Sequence, residues 1–229
     1  MSDRISGISS MATRSMLAEL ASDYRQRHGV EVSFESVGGV DAARRVLDGE
    51  AFDLVVLASD AIDKLIAAGR VNAHSKVDLV HSGVAVAVPA GAPQPDIDSE
   101  AAVRQAVLDA RIVGYSTGPS GVQLLKLFER WGIVQTLGQR LVQAPAGMPV
   151  GSLVARGEIA LGFQQLSELI NVDGIRVVGP LPPAIQIDTV FSAAVCSTCR
   201  QPKALRVLLE FLGSPLADEA KRRHGMVPG

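Results

Sequence analysis

Apolar and polar positions along this chain switch between two periods, one suited to strands and one to helices. Arg4–Ile8 has the short alternation of a strand. Ala12–Arg27 then places Met16, Leu17, Leu20 and Tyr24 on one helical face. Gly29 predicts the end of that helix, since glycine readily takes the left-handed conformation there. Val30–Phe34 reads as the next strand. Gly38-Gly39 follows, then a short helix through Ala42, Ala43, Val46 and Leu47. Leu54–Leu57 is an unbroken apolar run, the pattern of a strand buried on both faces. Ile62, Leu65 and Ile66 mark a third helix, stopped at Gly69. This alternation predicts a parallel sheet with helices on both faces.

The period changes at Val77–Val88, a long alternating stretch that ends at Pro89. The segment AGAPQPDIDS is rich in turn formers and reads as a loop. A second series follows: helix Ser99–Ala110, strand Ile112–Tyr115, helix Val122–Trp131, a strand near Leu141–Gln143, helix Val150–Ala155 and strand Ile159–Phe163. Ile175–Val178 and Val190–Val195 add strands. Two helices finish the chain, with Pro202 opening the helix Lys203–Leu212. Two β/α series, separated by one long strand and rejoined by another, predict an α/β fold of two lobes. Each lobe is expected to be a β-sheet flanked by helices, with two crossover strands between them. Residues 1–83 with 194–229 would form the first lobe and residues 84–193 the second.

Composition narrows the function. The 229 residues are 47% hydrophobic and 4% aromatic, with a formal net charge of −2. That is enough apolar chain for real cores and excludes a disordered tail. Near-neutral charge and few aromatics argue against nucleic-acid binding, which needs basic patches or stacking platforms. No stretch approaches the ~18 apolar residues of a membrane span, so no membrane insertion is expected. The opening MSDRISGISSMATRS lacks a cationic start followed by an apolar core. The chain as it stands therefore reads as soluble and cytoplasmic, and as periplasmic if a leader preceded it.

In open α/β sheets, ligands bind beyond the carboxyl ends of the strands. The predicted loops there are Gly7–Met11, Ser36–Val40, Ala58–Asp60, Tyr115–Gly121, Ala146–Val150 and Gln164-Gln165. They hold hydroxyls, amides and glycines just ahead of helix N-termini. Free backbone N–H groups and the helix dipole favour an anion there, and glycine lets the backbone approach it. Single loops of this kind serve mostly as caps and turns. The functional reading rests on their joint placement, which points to a small anionic ligand, with no cofactor and no metal.

Three other signals point elsewhere. Gly114–Gly118 matches the G-x-S-x-G pattern of hydrolases, but Pro119 and Gly121 are expected to delay the following helix, and His224 is the only late histidine. Cys196 and Cys199 have C-x-x-C spacing without further metal ligands nearby and read as two thiols. Lys221–His224 reads as a solvated helix end.

The chain resembles the type II periplasmic binding proteins, in the branch of the molybdate-binding proteins and their relatives. The carriers are Ser9-Ser10, FDLVVLASDAIDKLIAAG, LVHSGVAVAVPAGAP, YSTGPSGVQLLKLFERWGI, VARGEIALGFQQLSEL and LLEFLGSPLADEAKRRHG, which together span nearly the whole chain. The resemblance implies an anion in an interlobe cleft, held in the molybdate binders by serine hydroxyls, backbone amides and a tyrosine hydroxyl. Ser10 matches the first serine loop. Val37-Gly38-Gly39 stands where the second serine loop would be and offers amides only, and Gln165 stands in place of the tyrosine. These departures point away from molybdate. The aconitate isomerases of the same fold resemble the chain in AGAP-P-DI-S, in the Ser-x-x-x-Ser-Gly loop from Ser116 to Gly121, and in GFQQ-x-x-EL. That likeness implies a di- or tricarboxylate and a 1,3-proton shift. The alternative is a transporter's molybdate- or tungstate-type receptor, partnered by an ABC permease if exported, or an intracellular anion sensor.

The expected ligand-binding residues are Ser9, Ser10, Gly38, Gly39, Ser59, Ser116, Gly118, Ser120, Pro149, Val150, Gln164 and Gln165, with Arg14 and Arg44 to pair a carboxylate bidentately. A proton shift needs a base, and Asp60 at a strand end is the first candidate, with Asp41 and Glu168 as alternatives.

Overall fold

The computed structural model describes residues 4–229; the first three residues assigned above to the first lobe lie outside the described part. The chain divides into two compact units. One comprises the chain up to Ser82 together with Val190–Gly229, and the other is Gly83–Thr189.

The first unit opens with strand β1 (Arg4–Ser10), helix α1 (Arg14–His28), strand β2 (Glu31–Val37), helix α2 (Gly39–Leu47), strand β3 (Leu54–Ala58) and helix α3 (Ser59–Ala67). β1 pairs in parallel with β2 on one side and β3 on the other. Strand parity sorts the apolar residues into two cores. Ile5, Leu54 and Val56 pack with Met16, Leu17 and Leu20 of α1, whereas Ile8, Val55 and Leu57 pack with Ala42 and Val46 of α2 and Ile62 and Leu65 of α3. Every residue of β3 is therefore buried, which explains its unbroken apolar run. Gly29 closes α1 at φ 70°, as the left-handed cap requires.

The chain leaves this unit within strand β4 (Val77–Pro89). Helix α4 (Glu100–Asp109), strand β5 (Val113–Tyr115), helix α5 (Pro119–Arg130), helix α6 (Val134–Leu137), strand β6 (Leu141–Gln143), helix α7 (Val150–Ala155), strand β7 (Leu161–Gln165), helix α8 (Leu166–Leu169) and strand β8 (Ile175–Pro180) follow. β5 pairs in parallel with β6 and β7, and the later part of β4 runs antiparallel to β7 and to β8. Phe128 of α5 meets Phe163 of β7 edge-on at 5.8 Å within the main core of this unit. Strand β9 (Asp188–Val195) brings the chain back and pairs antiparallel with β3. Helix α9 (Pro202–Leu212), helix α10 (Asp218–Arg223) and strand β10 (Val227–Pro228) complete the first unit, β10 pairing with the start of β4. Pro202 stands in the first turn of α9, where its missing N–H costs nothing.

Three strands run past their expected ends. β1 extends to Ser10 and β2 to Val37, because the parallel ladder continues through Ser9↔Ser36 and Ser10↔Val37. β7 lies two residues later than Ile159–Phe163. Its last residues, Gln164 and Gln165, are in register with Ala85 and Val84 of β4 and belong to the strand, not to a loop after it. α5 begins at Pro119 and not at Val122. Pro119 occupies the helix N-terminus, a position its fixed φ suits. Helices α6 and α8 and strand β10, at most four residues each, have no counterpart in the sequence reading.

Gly7 sits directly opposite Phe34 in the β1–β2 ladder. A Cβ there would lie 2.5 Å from the Phe34 ring. Gly7→Ala should destabilise the protein by about 1–3 kcal/mol, the usual cost of overpacking. Urea unfolding reads the loss, and adding Phe34→Leu should recover most of it. No recovery would mean that the strand backbone itself had moved.

Candidate functional site

In the first unit, β1 ends on two serines with different surroundings. The Ser9 hydroxyl is buried and lies 2.8 Å from the Ser36 hydroxyl at the end of β2. Ser36 lies in a loop the sequence singled out but was not carried into the expected site, and it pins Ser9. The Ser10 hydroxyl is buried with no hydrogen-bond partner. Ser10 precedes the short helical turn Met11–Thr13 in extended conformation, yet its side chain does not cap that turn. Its carbonyl is occupied instead, accepting from Thr13 Oγ1 at 3.2 Å. A Cβ on Gly39 would lie 3.7 Å from Ser10 Cβ, so the start of α2 stands beside the unpartnered hydroxyl. Gly38 caps α2 with backbone alone, leaving the first amides of that helix without a side-chain acceptor.

The cations and the carboxylate lie further out. Arg14 is exposed at the start of α1. Arg44 is exposed and pairs with Asp41 at 2.9 Å. Ser59 and Asp60 open α3. Asp60 is 65% exposed and 3.6 Å from Lys64.

In the second unit, Ser116-Thr117-Gly118 bridges β5 to α5. The Ser116 and Ser120 hydroxyls are 3.4 Å apart, and Ser120 is buried. A Cβ on Gly121 would lie 1.9 Å from the Ser116 carbonyl oxygen, so this tight turn admits only glycine. Gly118, at the cap of α5, and Pro149, at the cap of α7, both lack a capping side-chain hydrogen bond. Val150 is fully buried at the start of α7. Gln164 accepts the next amide, that of Gly151, at 3.1 Å. Gln165 is buried, and its Oε1 has no hydrogen-bond partner.

Ser116 does not sit on a hydrolase elbow. Three residues separate β5 from α5, and no non-glycine residue among those described has the positive φ of that strained turn. His224 is engaged elsewhere, with its Nε2 2.8 Å from Glu19. Among the described residues, no group of three or more His, Cys, Asp or Glu side chains could hold a metal ion. Two surface hollows lie away from the candidate residues. One is bounded by Pro95, Asp96, Ala106, Asp109 and Leu161, the last at the opposite end of β7 from Gln165. The other is bounded by Asn72, His74, Val195 and Arg206.

The profile of the bacterial extracellular solute-binding protein family matches residues 5–227. The chain belongs to that family. Among its relatives is an aconitate isomerase of a Pseudomonas species, 39% identical over 227 residues, spanning 96% of this chain and 86% of that one. The molybdate-binding protein of Escherichia coli K12 is 23% identical over 219 residues, covering 91% of this chain and 83% of its own. The periplasmic molybdate-binding protein of Azotobacter vinelandii superposes with a TM-score of 0.81 at 19% identity, over 97% and 98% of the two chains. The fold of this solute-binding protein is thus the two-lobed type II periplasmic binding fold anticipated from its sequence. None of its described helices is long and apolar enough to cross a membrane.

One carboxyl near the glutamines stands out. Glu168 accepts a hydrogen bond from the Gln164 amide, which opposes a larger effect of burial, and its pKa is pushed up from 4.5 to about 7. The folded chain thus holds this proton more tightly than the unfolded chain does. The stability it contributes is complete below about 4.5 and is lost as the pH rises to about 7. Glu168→Gln keeps the shape without the charge. The variant should melt higher than the parent at about pH 8, with the gap closing toward about pH 5. Thermal unfolding across that range is the measurement, and a gap independent of pH would place the carboxyl in water.

Proposed function

We propose that this solute-binding protein binds a small di- or tricarboxylate at these strand ends and moves a proton on it, as an aconitate-isomerase-like 1,3-shift requires. Among the described residues three buried side-chain polar atoms have no partner; the observation that carries the reading is that two of them, Ser10 Oγ and Gln165 Oε1, lie at the carboxyl end of a strand, the third being His224 Nδ1 at the end of α10. A buried polar group left unmatched costs about 1–3 kcal/mol, so a bound solute that supplies its partner recovers that cost. A glutamine amide presents a donor or an acceptor by a half-turn of its terminal group and so meets either kind of ligand atom. The relative at 39% identity, an aconitate isomerase, supports the same ligand class.

In this reading the ligand carboxylates accept from the first amides of α2 and α5, from Val150 and from the Ser10 and Ser116 hydroxyls. Ser9, Gly38, Gly39, Ser59, Gly118, Ser120 and Pro149 shape these loops. Arg14 and Arg44 pair an outer carboxylate. Asp60 takes the proton from the carbon between a carboxylate and the double bond. The charge left behind spreads into that carboxylate, where amide donors stabilise it, and the proton returns at the far allylic carbon. A second reading gives the proton step to Glu168. Its burial-raised pKa of about 7 favours it, because a group that is half protonated near neutrality both takes and returns a proton readily.

Thermal shift with cis- and trans-aconitate, citrate, isocitrate, molybdate, tungstate and sulfate tests the ligand class. A ligand at a hundredfold excess over its dissociation constant stabilises by ~2.7 kcal/mol, and the tricarboxylates should do so. Stabilisation by molybdate and tungstate alone would overturn the carboxylate reading and favour a transporter's receptor working with an ABC permease. Proton NMR in D2O tests the chemistry. Isomerisation with deuterium uptake at the allylic carbons is expected, and Asp60→Asn should stop both while leaving the thermal shift intact. If Glu168→Gln stops exchange and Asp60→Asn does not, the base is Glu168. Tricarboxylate binding without exchange in the parent protein would leave a receptor and not an isomerase.

A further inference from the structure

Neither cysteine has a part in the proposed site, and the structure places them closer to each other than their spacing alone implies. Cys196 directly follows β9, and the Cys199 N–H donates to the Cys196 carbonyl at 3.0 Å. Cys196–Cys199 is thus a hydrogen-bonded β-turn with Ser197 and Thr198 at its corner. Neither corner residue has positive φ, so the turn belongs to the ordinary type I class. A β-turn holds its first and fourth Cα atoms within about 7 Å. Disulfides span Cα separations of about 4.4–6.8 Å. The turn is also held firmly. Cys196 N donates to the Asp53 carbonyl at 2.9 Å, Ser197 N to Arg70 at 2.8 Å and Thr198 Oγ1 to Phe52 at 2.6 Å. The Gln201 N–H points at Cys199 Sγ from 3.3 Å.

We propose that Cys196 and Cys199 are a redox modification site, two thiols that close an intramolecular disulfide across this turn when a small or protein disulfide oxidises them. The two sulfurs have unequal roles. Cys196 is buried and Cys199 is only partly so. Burial pushes the Cys196 thiol up to about 12, and Cys199 and Asp53 add to the effect. Cys199 is also held as a thiol, by burial first and then by Asp53, while the Gln201 N–H favours its thiolate. The less buried partner, Cys199, therefore reacts first. Cys199 loses its proton and attacks one sulfur of the oxidant, forming a mixed disulfide and releasing one thiolate. Cys196 then loses its proton and attacks Cys199 Sγ, which breaks the mixed disulfide and releases the second thiolate. Two cysteine thiols and one disulfide become one cyclic disulfide and two free thiols, so the oxidant gains the two electrons that the cysteines lose. The closed loop is only four residues long, so the entropic stabilisation is small. The bond marks the redox state at the junction of β9 and α9 and does little to brace the fold.

Native protein treated with oxidised glutathione should lose the mass of two hydrogens, form no disulfide between chains and present no thiol to an alkylating reagent. Dithiothreitol should restore both thiols. Cys196→Ala should stop at the mixed disulfide, carrying one glutathionyl group that alkylation cannot displace. Cys199→Ala should remain unmodified while folded. A persistent glutathionyl adduct on the parent protein, a disulfide-linked dimer, or two thiols still open to alkylation after oxidation would each overturn the proposal. Mass spectrometry of the parent chain alone decides this, so the outcome does not depend on either variant folding.

Discussion

A polar atom buried without a partner is a standing cost, and this fold keeps one at the end of a strand in each unit. Ser10 Oγ and Gln165 Oε1 could have been satisfied locally, since serine caps helices well and a glutamine can reach a neighbouring amide. Neighbouring residues of the same types do that. Ser9 is matched by Ser36, and Gln164 by the amide of Gly151. Successive strand residues face opposite sides of the sheet. All four side chains are buried, so the members of each adjacent pair meet different neighbours on the two faces, one finding a partner there and the other none. A donor or acceptor already desolvated and fixed in place loses little further freedom when a ligand arrives.

The same strand ends explain what the sequence could and could not disclose. Leu54–Leu57 and the helix Val150–Ala155 stood out because burial alone dictates their residues. β1 and β2 looked shorter than they are, and β7 looked two residues early, because they finish in Ser9-Ser10, Ser36-Val37 and Gln164-Gln165. Read along one chain, those polar residues signal loops. In the sheet their backbone continues the ladder, and only pairing with a distant segment reveals it. Pro119 and Gly121 misled for another reason. Both are poor residues for a helix interior, but at the N-terminus of α5 the proline is pre-shaped, and the glycine leaves room for the Ser116 carbonyl. The departures from the molybdate binders at Gly38-Gly39 and Gln165 were legible from residues alone, because a missing hydroxyl requires no coordinates to see.

Asp60 and Glu168 look alike in one dimension: each is an acidic residue in the first turn of a helix that follows a strand. Three dimensions separate them. Asp60 lies in solvent beside Lys64, where an ion pair is worth little and holds nothing in place. Glu168 shares the turn after β7 with Leu166 and Leu169, and burial there keeps a proton on it up to near neutrality. The apolar spacing of Leu166 and Leu169 around it was the available clue, but a helix of four residues is too short to show a face.

The donor arrangement bears on ligand shape. A tetrahedral oxyanion packs four oxygens into one small sphere, and a tight ring of short hydroxyls and amides suits it. A polycarboxylate spreads charge over several planar groups, which calls for amides at some points and bidentate cations at others. Gly38-Gly39 brings the start of α2 beside Ser10, where a Cβ on Gly39 would lie 3.7 Å from Ser10 Cβ, and keeps the first helix amides without a side-chain acceptor. Arg44 lies on the same helix and pairs with exposed Asp41, a pairing weak enough to exchange for a ligand carboxylate at little cost. Retained amides and an exchangeable guanidinium suit the spread charge of the polycarboxylate proposed above.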